Sequence, residues 1–211
     1  VIALQLLGVL AAQNKQYDRA LSLLSLALFW KPNYLNALYN RGNILNELCR
    51  FEEALKDHDK TILLKPNYPD ALNNRGNAQR GLGNLEAALT DYNQSLILKP
   101  DFIEAFYNRA NVLSDLCRYS EAIADYEKAI SLNPNHANAH WNKSLQRLLH
   151  GDFISGWKGY EWRWKRKDFT SPRRQFLQPR WLNEQDLCGK TILLHWEQGL
   201  GDTIQFSRYA K

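Results

Sequence analysis

Small, large and turn-forming positions recur along this chain at one fixed interval, the distance from Pro32 to Pro66. Pro100 and Pro134 continue the same spacing, and the four prolines stand within Lys-Pro-Asn, Lys-Pro-Asp or Asn-Pro-Asn. Counted from Val1, the eighth position is small each time (Gly8, Gly42, Gly76, Ala110, Ser144), and so is the twentieth (Ala20, Ala54, Ala88, Ala122, Gly156). The seventeenth is large and apolar: Tyr17, Phe51, Leu85, Tyr119 and Phe153. Self-similarity of this kind is a stronger guide to fold than local propensity. Two antiparallel helices approach closely only where small residues face each other, with large neighbours filling the adjoining holes. A proline just beyond the second helix stops it and fixes the turn into the next unit. The pattern predicts helical hairpins over residues 1–150, with turns near Lys15, Arg50, Asn84, Arg118 and Gly151.

This pattern resembles the tetratricopeptide repeat. Four repeats cover residues 1–136, and a degenerate fifth with a capping helix follows over 137–165; beyond it, Asp168 stands where a fifth proline would fall. The resemblance implies an all-α, right-handed solenoid of antiparallel helix pairs whose first helices line a concave binding surface. On those helices asparagine recurs at two phases: Asn40, Asn74, Asn108 and Asn142, then Asn43, Asn77 and Asn111 three residues on. Each pair shares one helical face. A primary amide carries both donors and an acceptor, so a row of them can pair with the backbone of an extended peptide. The alternative is that the amides solvate a surface or bond one repeat to the next. Tetratricopeptide-bearing O-linked N-acetylglucosamine transferases carry such an asparagine ladder, which supports the peptide groove. Leu6 and Val9 hold these phases in the first repeat, so a ladder begins at the second.

Arg41, Arg75 and Arg109 are periodic too, and are read as long stems packed over neighbouring helices with the charge in water. Cys49 and Cys117 share one phase at the hairpin turn. His136 and His140 have a metal-like spacing but no third ligand nearby. No nucleophile–base constellation occurs within residues 1–150.

Composition narrows the class. Hydrophobic content of 45% argues against wholesale disorder, and three scattered cysteines form no disulfide framework, which points to a reducing cytoplasm. No segment is long and apolar enough to span a bilayer; the apolar opening Val1–Ala12 fits the repeat phase and reads as a helix. The absence of methionine suggests a piece of a longer chain.

The net charge of +5 is concentrated in one place. Residues 156–180 carry eight basic and two acidic side chains, so the remainder of the chain is slightly acidic, the basic balance is local and gives no argument for nucleic-acid binding by the solenoid, and no nucleic-acid partner is expected. Trp157, Tyr160 and Trp164 fall at helical spacing, the pattern of a buried stripe. Capping of the solenoid and docking of a neighbouring domain are favoured over single-strand binding, and residues 166–188 read as a basic, aromatic linker.

The C-terminal stretch, 189–211, differs from everything before it. Lys190–Trp196 is a short continuous apolar run, as in a parallel strand buried on both faces. Glu197–Asp202 then turns into a helix, with Asp202 and Gln205 placed as a capping box. The loop matches neither a dinucleotide fingerprint, whose third glycine falls at Ile204, nor a P-loop. Tyr160–Trp164 followed by Gly189–Ala210 resembles the junction of bacterial proteins that fuse tetratricopeptide repeats to a heptosyltransferase-like, two-lobed GT-B glycosyltransferase domain. That resemblance implies Asp202 as the base that deprotonates an acceptor hydroxyl. It also implies that Gly199 and Gly201 let the backbone approach the substrates. A nucleotide-sugar donor is implied for the parent enzyme. The chain itself is expected to bind a protein or peptide, without a cofactor and without catalysis. The rival reading is an interaction scaffold with no catalytic parent.

Overall fold

The computed structural model describes residues 1–170 and Cys188. Ten helices run in order: α1 (Ile2–Gln13), α2 (Tyr17–Trp30), α3 (Leu35–Glu47), α4 (Phe51–Leu64), α5 (Pro69–Gly81), α6 (Leu85–Leu98), α7 (Ile103–Asp115), α8 (Tyr119–Leu132), α9 (Ala137–Leu149) and α10 (Phe153–Tyr160). A 3₁₀ turn, Glu161–Lys165, follows, and the described residues contain no strand. Two compact units are formed, residues 1–139 and a second beginning at His140.

The hairpins form where the repeat phase places them. Each turn between first and second helix holds one residue in the left-handed region, always at the same phase: Lys15, Cys49, Gly83, Cys117 and Gly151. Glycine accepts this backbone without strain, while the two cysteines carry it at a cost. After each of the first three second helices comes a lysine in extended backbone, as the residue before a proline must be. That lysine lies over an aromatic ring at the head of the next hairpin: Lys31 on Tyr34, Lys65 on Tyr68, Lys99 on Phe102.

Small-against-large packing closes each pair. A β-carbon on Gly42 would come within 2.7 Å of the His58 ring, and one on Gly76 within 2.7 Å of Tyr92. Ala20, Ala54, Ala88 and Ala122 are fully buried where second helices meet their neighbours. Within the first unit α1 touches α3, α3 touches α5 and α5 touches α7, whereas no comparable contact joins α2, α4, α6 and α8. Closer spacing of the first helices puts them on the inner side of the curve, which is where the asparagines are.

The second unit departs from one sequence expectation. Trp157 is 59% exposed rather than part of a buried stripe. The α-helix ends at Tyr160 and tightens into the 3₁₀ turn, where Trp164 is half-buried, as Tyr160 is. No described helix is long and apolar enough to cross a membrane.

Candidate peptide-binding face

The inner-face asparagines divide into fasteners and unused amides. At the later phase, Asn77 and Asn111 accept hydrogen bonds from the hydroxyls of Tyr92 and Tyr126 at 2.8 and 2.7 Å. These amides tie the first helix of a hairpin to its second. Asn43 faces a different partner because His58 stands at the tyrosine phase; its Oδ1 accepts from Nδ2 of Asn74 at 2.7 Å, across a repeat boundary.

At the earlier phase, the four positions are not equivalent. Asn74 uses both of its N–H groups, on Asn43 and on the Tyr39 hydroxyl at 3.3 Å, and its Oδ1 accepts from Asn73 at 3.0 Å. Burial holds the Tyr39 phenol above its ordinary pKa of 10.0, so it meets Asn74 as a neutral group. Asn108 donates once, to Oδ1 of Asn73 at 3.1 Å. Its second N–H and its carbonyl oxygen have no partner among the described residues. Asn40 is half-buried and makes no side-chain hydrogen bond there at all. An amide offers two donors and two acceptor lone pairs. Capacity for a peptide backbone is therefore complete at Asn40, substantial at Asn108 and reduced to an acceptor at Asn74. Asn142 lies on α9 and belongs to the second unit.

The arginine row overturns the expectation of charges held in water. Arg41, Arg75 and Arg109 each make a two-pronged pair with an aspartate of the following helix, Asp57, Asp91 and Asp125, at 2.6–2.9 Å. The remaining arm of each guanidinium reaches the preceding second helix, at Ser25, Asp59 and Asn93. A planar guanidinium matches a carboxylate edge to edge, and such pairs are among the stronger hydrogen bonds. Each arginine thus bridges three helices from a site only about a quarter exposed. The first hairpin has Leu7 and Leu23 at these phases.

In the second unit, tryptophan faces are covered by basic side chains. His140 stacks on Trp162 at 3.7 Å, Lys165 lies over the same ring at 3.8 Å, and Arg166 lies over Trp141 at 3.8 Å. Arg163 is buried, paired with Glu161 and set against Tyr160 and Trp164. His136 caps α9, its Nδ1 accepting from the backbone N–H of Ala139. No cluster of three metal-ligating side chains exists among the described residues. Gly199, Gly201 and Asp202, with the expected strand before them, lie outside the described residues.

The tetratricopeptide repeat family model matches residues 35–68, 69–102 and 103–136, in the phase set by the prolines. Among solved structures, the chain is similar to a MamA chain from Desulfovibrio magneticus RS-1, with 18% identity and a TM-score of 0.68 over 76% of this chain and 90% of that one. It is similar to TTC0263, a tetratricopeptide protein of Thermus thermophilus, at 22% identity and a TM-score of 0.64 over 75% and 87%. A third, YrrB, is described as a tetratricopeptide protein with an unusual peptide-binding site; it aligns at 19% identity and a TM-score of 0.59 over 74% and 80%. No curated protein matches the sequence. The described helices form an all-α tetratricopeptide solenoid.

Proposed function

We propose that this tetratricopeptide solenoid is a peptide-binding module whose inner face pairs with the backbone of an extended segment. One observation carries the reading: Asn40 and Asn108 keep unused amide groups at the same phase of the inner helices, on either side of an Asn74 held by its neighbours. First helices in contact lie about 8–10 Å apart, so two repeats separate these amides by about 16–20 Å. An extended strand rises about 3.3 Å per residue, which makes the ligand about five or six residues between the two contacts. The likeness to YrrB supports the class of ligand without defining its sequence. Selection of binders from a random-peptide library, followed by side-chain amide NMR, tests the proposal. Shifts at Asn40 and Asn108 are expected; binders that perturb only the outer helices would refute it.

A second reading attaches this module to an enzyme, and its support is the glycosyltransferase-like run Gly189–Ala210. The solenoid would present an acceptor to a GT-B domain in which Asp202 acts as base, with Gly199 and Gly201 at the substrates and a nucleotide-sugar held by a further lobe. Reading the coding sequence past Lys211 decides it: a second nucleotide-binding lobe supports the enzyme, and a different domain leaves a scaffold.

A further inference from the structure

The two amides with unused capacity on the inner face each stand beside a pair of aromatic rings. Tyr39 precedes Asn40 and lies against Tyr68, with ring centroids 5.0 Å apart; Tyr107 precedes Asn108 and lies against His136 at 4.9 Å. The Tyr39 hydroxyl accepts from Asn74, which places this ring in the amide row. All four rings are half-buried, so part of each faces solvent. The repeat between them has Asn73 and Phe102 at the same phases, both buried, and its own amide, Asn74, is the one held by its neighbours. Ring pairs and unused amides therefore alternate in step, present at α3 and α7 and absent at α5.

Repeat spacing selects the conformation of a ligand. First helices in contact lie about 8–10 Å apart. A polyproline II helix rises about 3.1 Å per residue, so its three-residue turn of about 9 Å spans one repeat and shows the same face to every first helix. A β-strand covers that distance in about three residues, which turns its side chains to the opposite face at each repeat. Two polyproline turns, about 19 Å, reach from one ring pair to the other, between residues i and i+6. Lys65 lies over Tyr68 while Asp70 acts on both Tyr39 and Tyr68, one charge of each sign, so an uncharged side chain suits these rings. A proline ring offers a flat apolar face and a backbone already fixed, which lowers the ordering cost of binding. Asn74 Oδ1 keeps one acceptor lone pair, which only a ligand N–H can fill, so residue i+3 is not proline. Granted the peptide groove proposed above, we propose that its ligand is a proline-rich segment in the polyproline II conformation, with prolines at i and i+6 on the two ring pairs and a different residue midway.

The test is NMR titration of the full chain with two blocked heptapeptides, one of three prolines, an alanine and three prolines, the other of alternating threonine and valine. The proline peptide is expected to shift the side-chain amides of Asn40 and Asn108 and the ring signals of Tyr39 and Tyr107 saturably. It should bind at least about tenfold tighter than the threonine–valine peptide, and Tyr39→Leu or Tyr107→Leu should each remove about tenfold, while Tyr107→Phe retains binding. Proline in place of the central alanine should weaken it. Equal affinity for the two peptides, or indifference to both leucine variants, would overturn the polyproline assignment. So would a proline peptide that shifts nothing where library-selected binders do shift Asn40 and Asn108, an outcome that leaves the groove standing. Library binders that leave both amides unshifted would instead remove the groove, and this ligand with it.

Discussion

His58 makes the solenoid's stability pH-dependent in a way that one substitution should remove. The ring is fully buried in α4, packed on Gly42, with Nε2 3.3 Å from the Asn46 amide and Nδ1 without a hydrogen-bond partner. Burial, and then the charge of Arg75, push its pKa down from 6.5 to about 4. A depressed folded pKa means that the unfolded chain takes up the proton first. The neutral ring's contribution is therefore complete above pH 6.5 and is lost as pH falls from 6.5 towards 4. At about 1.4 kcal/mol per unit, the loss is about 2 kcal/mol at pH 5 and about 3 kcal/mol at pH 4. The third and fourth hairpins carry Tyr92 and Tyr126 at this phase, so His58→Tyr is a substitution that the fold already accommodates twice. Its phenol would face Asn43 as Tyr92 faces Asn77. Urea unfolding at pH 7.5 and pH 5.0 compares the two chains, and carboxylates common to both cancel in the difference. The natural chain should lose about 2 kcal/mol more than the variant between these pH values. Indistinguishable pH dependence of the two chains would refute the assignment of the proton to His58.

Three further substitutions probe the packing, and a fourth the hairpin turn. Asp91→Ala strands most of the Arg75 guanidinium and should cost about 2–3 kcal/mol in denaturant unfolding, below the full value for a broken buried pair because Arg75 keeps Asp59. Asp59→Ala, at a site 54% exposed, should cost less than about 1 kcal/mol; equal losses would contradict the division of roles. Gly76→Ala should cost less than about 1.5 kcal/mol by thermal melting, despite its 2.7 Å approach to Tyr92, because Ala110 already packs where Tyr126 stands at the same phases. A loss above about 3 kcal/mol would show that the third hairpin cannot shift as the fourth does. Cys117→Gly relieves a left-handed residue and should raise stability, read by denaturant unfolding, by about 0.5 kcal/mol net of glycine's greater freedom when unfolded; a decrease would mean that the thiol itself contributes.

The hairpins are legible because small, large and proline positions repeat at one interval, and packing enforces that interval in every repeat. The arginine–aspartate bridge is present in the same ruler, since Asp57, Asp91 and Asp125 repeat as strictly as their partners. Reading the arginines alone, without the aspartates that recur in step with them, leaves their charges in water. The asparagines are harder. Whether an amide at the later phase fastens a hairpin depends on the residue facing it from the second helix, tyrosine for Asn77 and Asn111 but histidine for Asn43. Asn74 is held only because Asn73, Asn43 and Tyr39 surround it, an arrangement that a one-repeat consensus does not contain.

The inner face is tested most directly by calorimetry of a library-selected peptide against the natural chain, Asn40→Ala/Asn108→Ala and Asn74→Ala, each with its melting temperature. Each backbone hydrogen bond lost at Asn40 and Asn108 should cost about 0.5–1.5 kcal/mol, so the double variant should bind roughly 5- to 150-fold more weakly while melting stays near the natural value. Asn74→Ala should do the reverse, lowering the melting temperature with little loss of affinity at temperatures where it is folded. Equal weakening by Asn74→Ala with no change in melting, or unchanged affinity in the double variant, would contradict a peptide groove built on Asn40 and Asn108.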